Sequence, residues 1–318
     1  MKRLHAALGL ASALPLLACG EPATPPEPAG GSERRLVVYA VNHPLAWLAE
    51  RIGGERVAVV FPAPAGVDPA LWSPDAETVA ATQRADLILL IGAGYARWVS
   101  RAALPRSRIV DTSAAFADRR IPVADGISHG HGPGGEHTHR GWASTTWLDP
   151  TLAIEHGRAI AEALVTALPA SEAAIRARFE QVARELTALD TRLAAAAKRL
   201  GGAPLLFSHP VFQYLIARYD LRARSLHWEP DEDPGESEWA ALEALLAEHP
   251  ARVLLWEARP LPQTAARLEA LGVKSFVYDP SGNVPEEGDF LSVAGANAQA
   301  LEAAAGWVLS EPTRRPDE

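Results

Sequence analysis

ASEAAIRARFEQVARELTALDTRLAAAAKRLGG, residues 170–202, is the most regular stretch of the sequence. Apolar residues recur along it at alternating steps of four and three, as on the buried face of a helix. They are Ile175, Phe179, Val182, Leu186, Leu189, Leu193, Ala196 and Leu200. The stretch follows Pro169 and ends at Gly201-Gly202, where glycine can adopt the left-handed conformation that closes a helix. We therefore predict one helix of about 30 residues and about 45 Å, longer than a single lobe of this protein is wide.

Short β-branched or apolar runs lie on both sides of this helix and alternate with amphipathic segments. Strands are predicted at residues 36–41, 57–61, 87–91 and 108–110, and again at 205–207, 222–226, 253–256 and 275–278. Helices are predicted between them, at 46–52, 76–84, 211–219, 237–248 and 262–271. Such alternation is typical of parallel α/β sheets. The predicted fold is two Rossmann-like α/β lobes joined by one long rigid helix. A coiled coil with a second chain is the alternative, but one isolated segment of under four heptads favours intramolecular packing.

Composition excludes several classes of protein. With 318 residues, 48% of them hydrophobic, the chain is long enough for two folded domains. Its 30 Lys and Arg are outnumbered by 39 Asp and Glu, and no basic block is present, so we expect no nucleic-acid partner. The single cysteine, Cys19, excludes disulfide frameworks and Cys-rich metal sites. Any metal must therefore be held by His and carboxylate side chains. We expect a monomer.

The N-terminus predicts a secretory signal. Lys2 and Arg3 precede an apolar stretch, 6–18, that is too short to span a bilayer. It ends in Leu16-Leu17-Ala18-Cys19, which resembles the bacterial lipobox, whose cysteine is lipidated and becomes the mature N-terminus. An ordinary cleavage site near Cys19 is the alternative. We expect an extracytoplasmic protein, anchored by lipid to a bacterial membrane and facing the periplasm or the cell exterior.

The expected domain limits follow from these patterns. Residues 1–18 form the signal peptide and 19–35 a flexible tether rich in Pro and Gly. Residues 36–150 form the N-terminal lobe with a His-rich loop at 126–141, 151–202 the linking helices, 203–310 the C-terminal lobe, and 311–318 a disordered tail.

Catalytic signatures are absent from the sequence: it has no G-x-S-x-G, G-x-G-x-x-G, Walker loop or H-E-x-x-H, and we predict no enzyme activity. Polar residues instead follow predicted strands, at His43, His209, Glu257 and Asp279. Parallel sheets bind ligands beyond the carboxyl ends of their strands, so these side chains are candidate ligands of one transition-metal ion. Helix capping, a core histidine and an Asp-Pro turn are the structural alternatives.

Two further groups of residues are candidates. His227 and Glu229 begin an acidic loop after the strand at 222–226, where a solvated loop is the alternative, more so for Glu229 than for His227. The loop GISHGHGPGGEHTHRG carries His129, His131, His137 and His139. Because its glycines make a preorganised geometry unfavourable, we predict an auxiliary metal loop, with a plain linker as the alternative. His156 and His249 are expected to be structural.

Several short motifs occur in a characteristic order: Pro44-Leu45-Ala46, Ile52-Gly53-Gly54, Gly66-Val67-Asp68-Pro69, Ala85-Asp86-Leu87-Ile88-Leu89, Trp147-Leu148-Asp149-Pro150 and Tyr278-Asp279-Pro280. With the His-rich insertion and the long helix, they resemble the solute-binding lipoproteins of zinc/manganese ABC transporters, the cluster A-I family. The resemblance covers residue 36 to about residue 308. It implies two α/β lobes, one rigid linking helix and a metal ion between the lobes.

The resemblance also marks the expected ligands. His209 matches the third metal ligand and Asp279 the last, whereas Ala70 and Thr145 stand where the family has histidines. We therefore expect a divergent receptor, which captures zinc (alternatively manganese) and delivers it to an ABC transporter permease. Its site would be rebuilt from His43, His227, Glu257 or the His-rich loop. The alternative is an adhesin-like or scaffolding lipoprotein that keeps the fold and has lost tight metal binding.

Overall fold

The computed structural model describes residues 34–123, 128–130, 136–138 and 141–310. Predictions for the signal peptide, Cys19, the tether up to residue 33 and the tail at 311–318 lie outside the described residues. So do those for His131 and His139 and for the side chains of His129 and His137. The described residues from Arg35 onward form one compact unit.

The first sheet is parallel and has four strands. They are β1 (Leu36–Ala40), β2 (Val57–Val60), β3 (Leu87–Leu90) and β4 (Ile109–Asp111), in the order β2-β1-β3-β4. Two helices accompany it, α1 (His43–Gly53) and α2 (Ala76–Arg84). Helix α1 begins three residues before the predicted segment because the Asn42 side chain caps it, accepting the N–H of Leu45 at 3.2 Å.

Two short antiparallel pairs follow the first sheet. Strand β5 (Pro122–Val123) pairs with β8 (Gly141–Trp142), and β6 (Ser128–Gly130) pairs with β7 (Glu136–Thr138). The inner pair lies within the predicted His-rich loop. The outer pair places Trp142, whose side chain is 46% exposed, on the surface.

The linking segment consists of helices α3 (Pro150–Ala167) and α4 (Glu172–Leu200). Helix α4 has 29 residues, and its buried residues are the eight of the predicted stripe. It ends at Gly201, which has the left-handed φ of 60°. The stripe packs within the chain against α1 and α3, so no coiled-coil partner is needed to cover it.

The second sheet repeats the strand order of the first. Its parallel strands are β9 (Leu205–Phe207), β10 (Ala223–Ser225), β11 (Val253–Trp256) and β12 (Lys274–Val277), in the order β10-β9-β11-β12. Helices α5 (Gln213–Arg218), α6 (Glu236–Glu248) and α7 (Pro262–Ala270) connect them. The predicted fold class, two α/β lobes with one long helix, is confirmed.

One long helix was absent from the sequence prediction. Helix α8 (Phe290–Ser310) follows the second sheet and packs against α4. Its buried side, which includes Ala298, Leu301 and Ala305, is rich in small residues, so no strong apolar periodicity marks it. An ion pair from Arg192 of α4 to Glu302, with Nε and Oε1 2.6 Å apart, joins the two helices. None of the helices in the described ranges is both long and apolar enough to cross a bilayer.

Leu186→Ala should lower the free energy of unfolding by about 2–5 kcal/mol, because Leu186 is fully buried in the middle of α4 and its truncation leaves a cavity. Glu180→Ala, on the exposed side of the same helix, is the matched control and should change it by less than about 0.5 kcal/mol. Urea denaturation of both variants measures this, and equal effects would contradict the assigned burial.

Candidate metal centre

Side chains from three neighbouring strands meet at the carboxyl edge of the second sheet. His209 follows the central strand β9, Glu257 comes directly after β11, and Glu229 lies in the loop after β10. Ser208 connects the three segments: its carbonyl accepts the N–H of Trp228 at 3.0 Å, and its hydroxyl accepts the N–H of Glu257 at 3.2 Å. The parallel register therefore brings these residues together.

The His209 ring lies between two carboxylates. Its side chain is only 4% exposed, with Nδ1 3.2 Å from Glu257 Oε1 and Nε2 3.4 Å from Glu229 Oε1. One donor atom from each of the three residues lies within 4.8 Å of the other two. A set of one imidazole nitrogen and carboxylate oxygens suits zinc or another divalent transition metal.

The two carboxylates have different surroundings. Glu257 and His209 line a cleft of about 190 Å³, whereas Glu229 does not line it. A histidine binds an ion through one ring nitrogen, and a carboxylate on the other nitrogen fixes the orientation of the ring. The geometry therefore favours an ion on the Glu257 side, with Glu229 accepting the opposite N–H.

The carboxylates also determine the charge of His209. Burial by itself lowers its pKa, but the hydrogen bond to Glu257 and the charges of Glu257 and Glu229 outweigh burial, and the net pKa is raised. Asp279 has a raised pKa because of burial and the neighbouring charge of Glu257, partly opposed by the N–H of Ser281. The site therefore concentrates negative charge that a proton or a metal cation can offset.

Both lobes line the cleft. Ala70 and Tyr95 belong to the first lobe, Thr145 precedes α3, and His209 and Glu257 belong to the second lobe. The two positions that lack the expected histidines, Ala70 and Thr145, thus face the same cleft as His209. The Thr145 hydroxyl donates a hydrogen bond to the carbonyl of Val211.

Three residues of the predicted set lie outside the cluster of mutually close donors. Asp279 is held near Glu257 by its neighbours: its Oδ1 accepts the N–H of Ser281 at 2.6 Å, and Asn297 bonds both its backbone N–H and its carbonyl. His227 is exposed, with its ring centroid 6.4 Å from that of His209, and its pKa is lowered by burial and by the charge of His209.

His43 occupies the first turn of α1. Its N–H donates to the carbonyl of Gly282 at 3.0 Å, and its Nδ1 is buried without a hydrogen-bond partner among the described residues. Burial lowers its pKa, while the charge of Asp289 opposes that effect. The lowered pKa keeps the side chain neutral near pH 7. His43 is not among the residues that line the cleft.

Glu229 received little weight in the sequence interpretation because it lies in an acidic loop. The sequence contained one signal for the position of Glu229, namely its neighbour Trp228. A buried aromatic side chain between two polar residues fixes where the side chains of those two residues point. Trp228 is 4% exposed and packs on Trp239, with ring centroids 4.8 Å apart. Its burial anchors the loop that carries Glu229.

The two histidines expected to be structural make contacts inside the protein. His156 is fully buried between the hydroxyls of Thr112 and Thr146, at 2.7 and 2.8 Å, and burial lowers its pKa to about 3. His249 lies 3.0 Å from the carbonyl of Leu205 through Nε2. Both contacts join elements within a lobe.

A two-lobed α/β chain with a helical connection and a His/carboxylate cluster in the cleft has the architecture of metal-binding solute-binding proteins. The model of one such family, described as zinc-uptake complex component A, periplasmic (ZnuA), matches residues 38–304. The chain belongs to this family. Its members are metal-binding receptors and not enzymes, in agreement with the missing catalytic motifs.

Known relatives are distant in sequence. The zinc-binding lipoprotein AdcA of Streptococcus pneumoniae serotype 4 is 22% identical over 311 residues, which cover 95% of this chain and 61% of AdcA, so the chain spans about three fifths of that relative. The Zn(II)-bound ZnuA-like domain of AdcA is 20% identical with a TM-score of 0.73, covering 86% of this chain and 99% of the domain. The metal-dependent lipoprotein YcdH of Bacillus subtilis is 21% identical with a TM-score of 0.71, covering 85% and 99%. These likenesses confirm the fold.

Glu257→Gln should lower the His209 pKa, because it removes the carboxylate that favours the imidazolium. A folded-state pKa above the unfolded value of about 6.5 stabilises the fold below that pH, and this stability is lost as pH rises through the folded pKa. The variant should therefore cost about 1–2 kcal/mol at pH 5.5 and less at pH 9. NMR titration and urea denaturation of metal-free protein test this, with Glu180→Gln as control. A cost independent of pH would contradict the assigned pairing.

Proposed function

We propose that this protein is an extracytoplasmic receptor that captures a divalent transition metal, first of all zinc, in the cleft between its lobes. It then delivers the ion to the permease of an ABC transporter. The observation that carries the proposal is the buried His209 ring, with a carboxylate at each nitrogen, in a chain of the zinc-uptake family. The zinc-binding name of the relative AdcA supports the choice of metal.

The proposed ligands are His209 through Nδ1 and Glu257, with Asp279 as the adjacent anion. Two donors on a tetrahedral zinc ion at 2.0–2.2 Å are about 3.4 Å apart. The 3.2 Å between His209 Nδ1 and Glu257 Oε1 is close to that separation. Glu229 orients the ring from Nε2, and we place His43 and His227 outside this primary set.

Location and delivery form the second part of the proposal. A lipid anchor at Cys19 would hold the receptor at the membrane that contains the permease. The lipoprotein names of AdcA and YcdH support such an anchor. The His-rich loop is proposed as an auxiliary metal-trapping segment that does not form the tight site. The receptor is proposed to act as a monomer.

Zinc titration in competition with a chromogenic chelator tests the ligand assignment. His209→Ala and Glu257→Gln should each weaken zinc binding more than about 100-fold, because each removes a ligand, whereas Glu229→Gln should cost about 10–100-fold. His227→Ala is the matched histidine control and should change the affinity by less than about threefold.

Two results would contradict this assignment. A larger loss in Glu229→Gln than in Glu257→Gln would place the ion at Nε2. Wild-type protein without tight zinc or manganese binding would favour the scaffolding alternative. Circular dichroism of each variant separates lost ligands from lost folding.

Cys19→Ala should move the protein from the membrane fraction to the soluble extracytoplasmic fraction, because a lipidated cysteine carrying several acyl chains gives stable attachment. Fractionation followed by immunoblotting measures this, with Ser32→Ala in the same N-terminal region as control. Unchanged membrane partition would remove the lipid anchor from the proposal.

A further inference from the structure

We propose that the cleft binds zinc together with one small, neutral or zwitterionic nitrogen-donating chelator, of the size and chemistry of the amino acid histidine. The cargo would then be a metal chelate rather than the bare ion. This inference rests on the proposed function and adds the class of substrate to it.

The first argument is the uneven distribution of donors between the two sides of the cleft. His209, Glu257 and Asp279 all follow strands of the second sheet. Among the described residues, the opposite side of the cleft is lined mostly by residues without a strong zinc donor, namely Ala70, Leu71, Tyr95, Val123, Trp142 and Thr145. Asp68 is the exception on that side: its Oδ1 accepts the N–H of Ala70 at 2.8 Å, and it lies outside the cluster of mutually close donors. Zinc takes four donors, so the lining side chains His209, Glu257 and Asp68, taken from the described part of the chain, would still leave a position for a donor of the chelator.

The second argument is space. The cleft has a volume of about 190 Å³. About 10–15 Å³ of such volume is enough to hold one water molecule, so the cleft has room for several waters. A bare ion with a single water ligand would leave most of this volume to solvent. A chelator of amino-acid size would fill it.

The third argument is the chemistry of the lining. The indole of Trp142 is 46% exposed at the cleft, and the Tyr95 ring packs edge-on against Trp147 with centroids 5.6 Å apart. These aromatic rings, with Ala70, Leu71 and Val123, suit a flat organic group such as imidazole. Within the described ranges, Asp68 and Glu257 are the charged side chains in the lining besides His209, and no Lys or Arg of those ranges lines it. That charge disfavours an anionic chelator such as citrate and favours a nitrogen donor.

Equilibrium dialysis of the full-length protein tests the inference, with ⁶⁵Zn held at fixed free activity by a metal buffer and ¹⁴C-labelled L-histidine as the probe. We expect one histidine retained per zinc, no histidine retained without zinc, and a zinc affinity raised roughly tenfold or more by histidine. Labelled citrate, tested in the same way, should not be retained.

Variants at one cleft position locate the chelator. Ala70→Phe should fill the cleft, so that zinc is still bound but histidine is lost. Ala70→Gly leaves the space open and should retain both. Trp142→Ala should weaken histidine retention at unchanged zinc stoichiometry, whereas Leu271→Ala, an exposed apolar residue at the end of α7, should not.

Each contrary outcome has its own meaning. Stoichiometric zinc without histidine overturns this inference and leaves the proposed function intact. Citrate retained in place of histidine overturns the nitrogen-donor class. Histidine retained by Ala70→Phe overturns its placement in the cleft. Protein that binds no zinc under any condition overturns both proposals.

Discussion

The burial of one apolar stripe on α4 is the constraint on which the rest of the structure depends. Seven of its eight side chains, all but Ala196, each contribute about 1.5–3 kcal/mol when fully buried. They do so by packing against helices of both lobes. Helix α1 belongs to the first lobe and α8 to the second. The ion pairs Arg51–Glu185 and Arg192–Glu302 fix these two helices on the same long helix. The two lobes, and therefore the cleft lined by both, are positioned by this shared surface.

The site brings together ionisable side chains at a place where burial makes their charges unfavourable. Three carboxylates and one imidazole are collected at one sheet edge, where burial disfavours every charge. The imidazole responds with a raised pKa and Asp279 with a raised pKa of its own, so both groups tend toward protonation. A divalent cation would relieve the same repulsion more fully than a proton. A metal ion and a proton would therefore compete for His209.

The resemblance to the family implies that both missing histidines, at the positions of Ala70 and Thr145, belong to one side of the cleft. The second lobe has His209 and Asp279 at positions that the resemblance assigns to ligands, and Glu257 and Glu229 lie beside His209. Such an exchange leaves the lobes and the linking helix in place, because both changed positions line the cleft. The recognition chemistry can therefore diverge while the fold stays the same.

The sequence by itself determined the elements that depend on local periodicity and chain termini. The α4 stripe and strands β9 and β11 agree with the prediction. Helix periods, strand periods and glycine caps each depend on residues that are close together in the sequence. It also indicated that His209 and Glu257 end adjacent strands. Only the tertiary structure placed Glu229 against His209, because that contact requires the β9–β10 register and the burial of Trp228 among other tryptophans. It also revealed α8, whose small residues carry no strong apolar period and become a buried face only against α4. Contacts between segments distant in sequence depend on packing, and no local pattern specifies them.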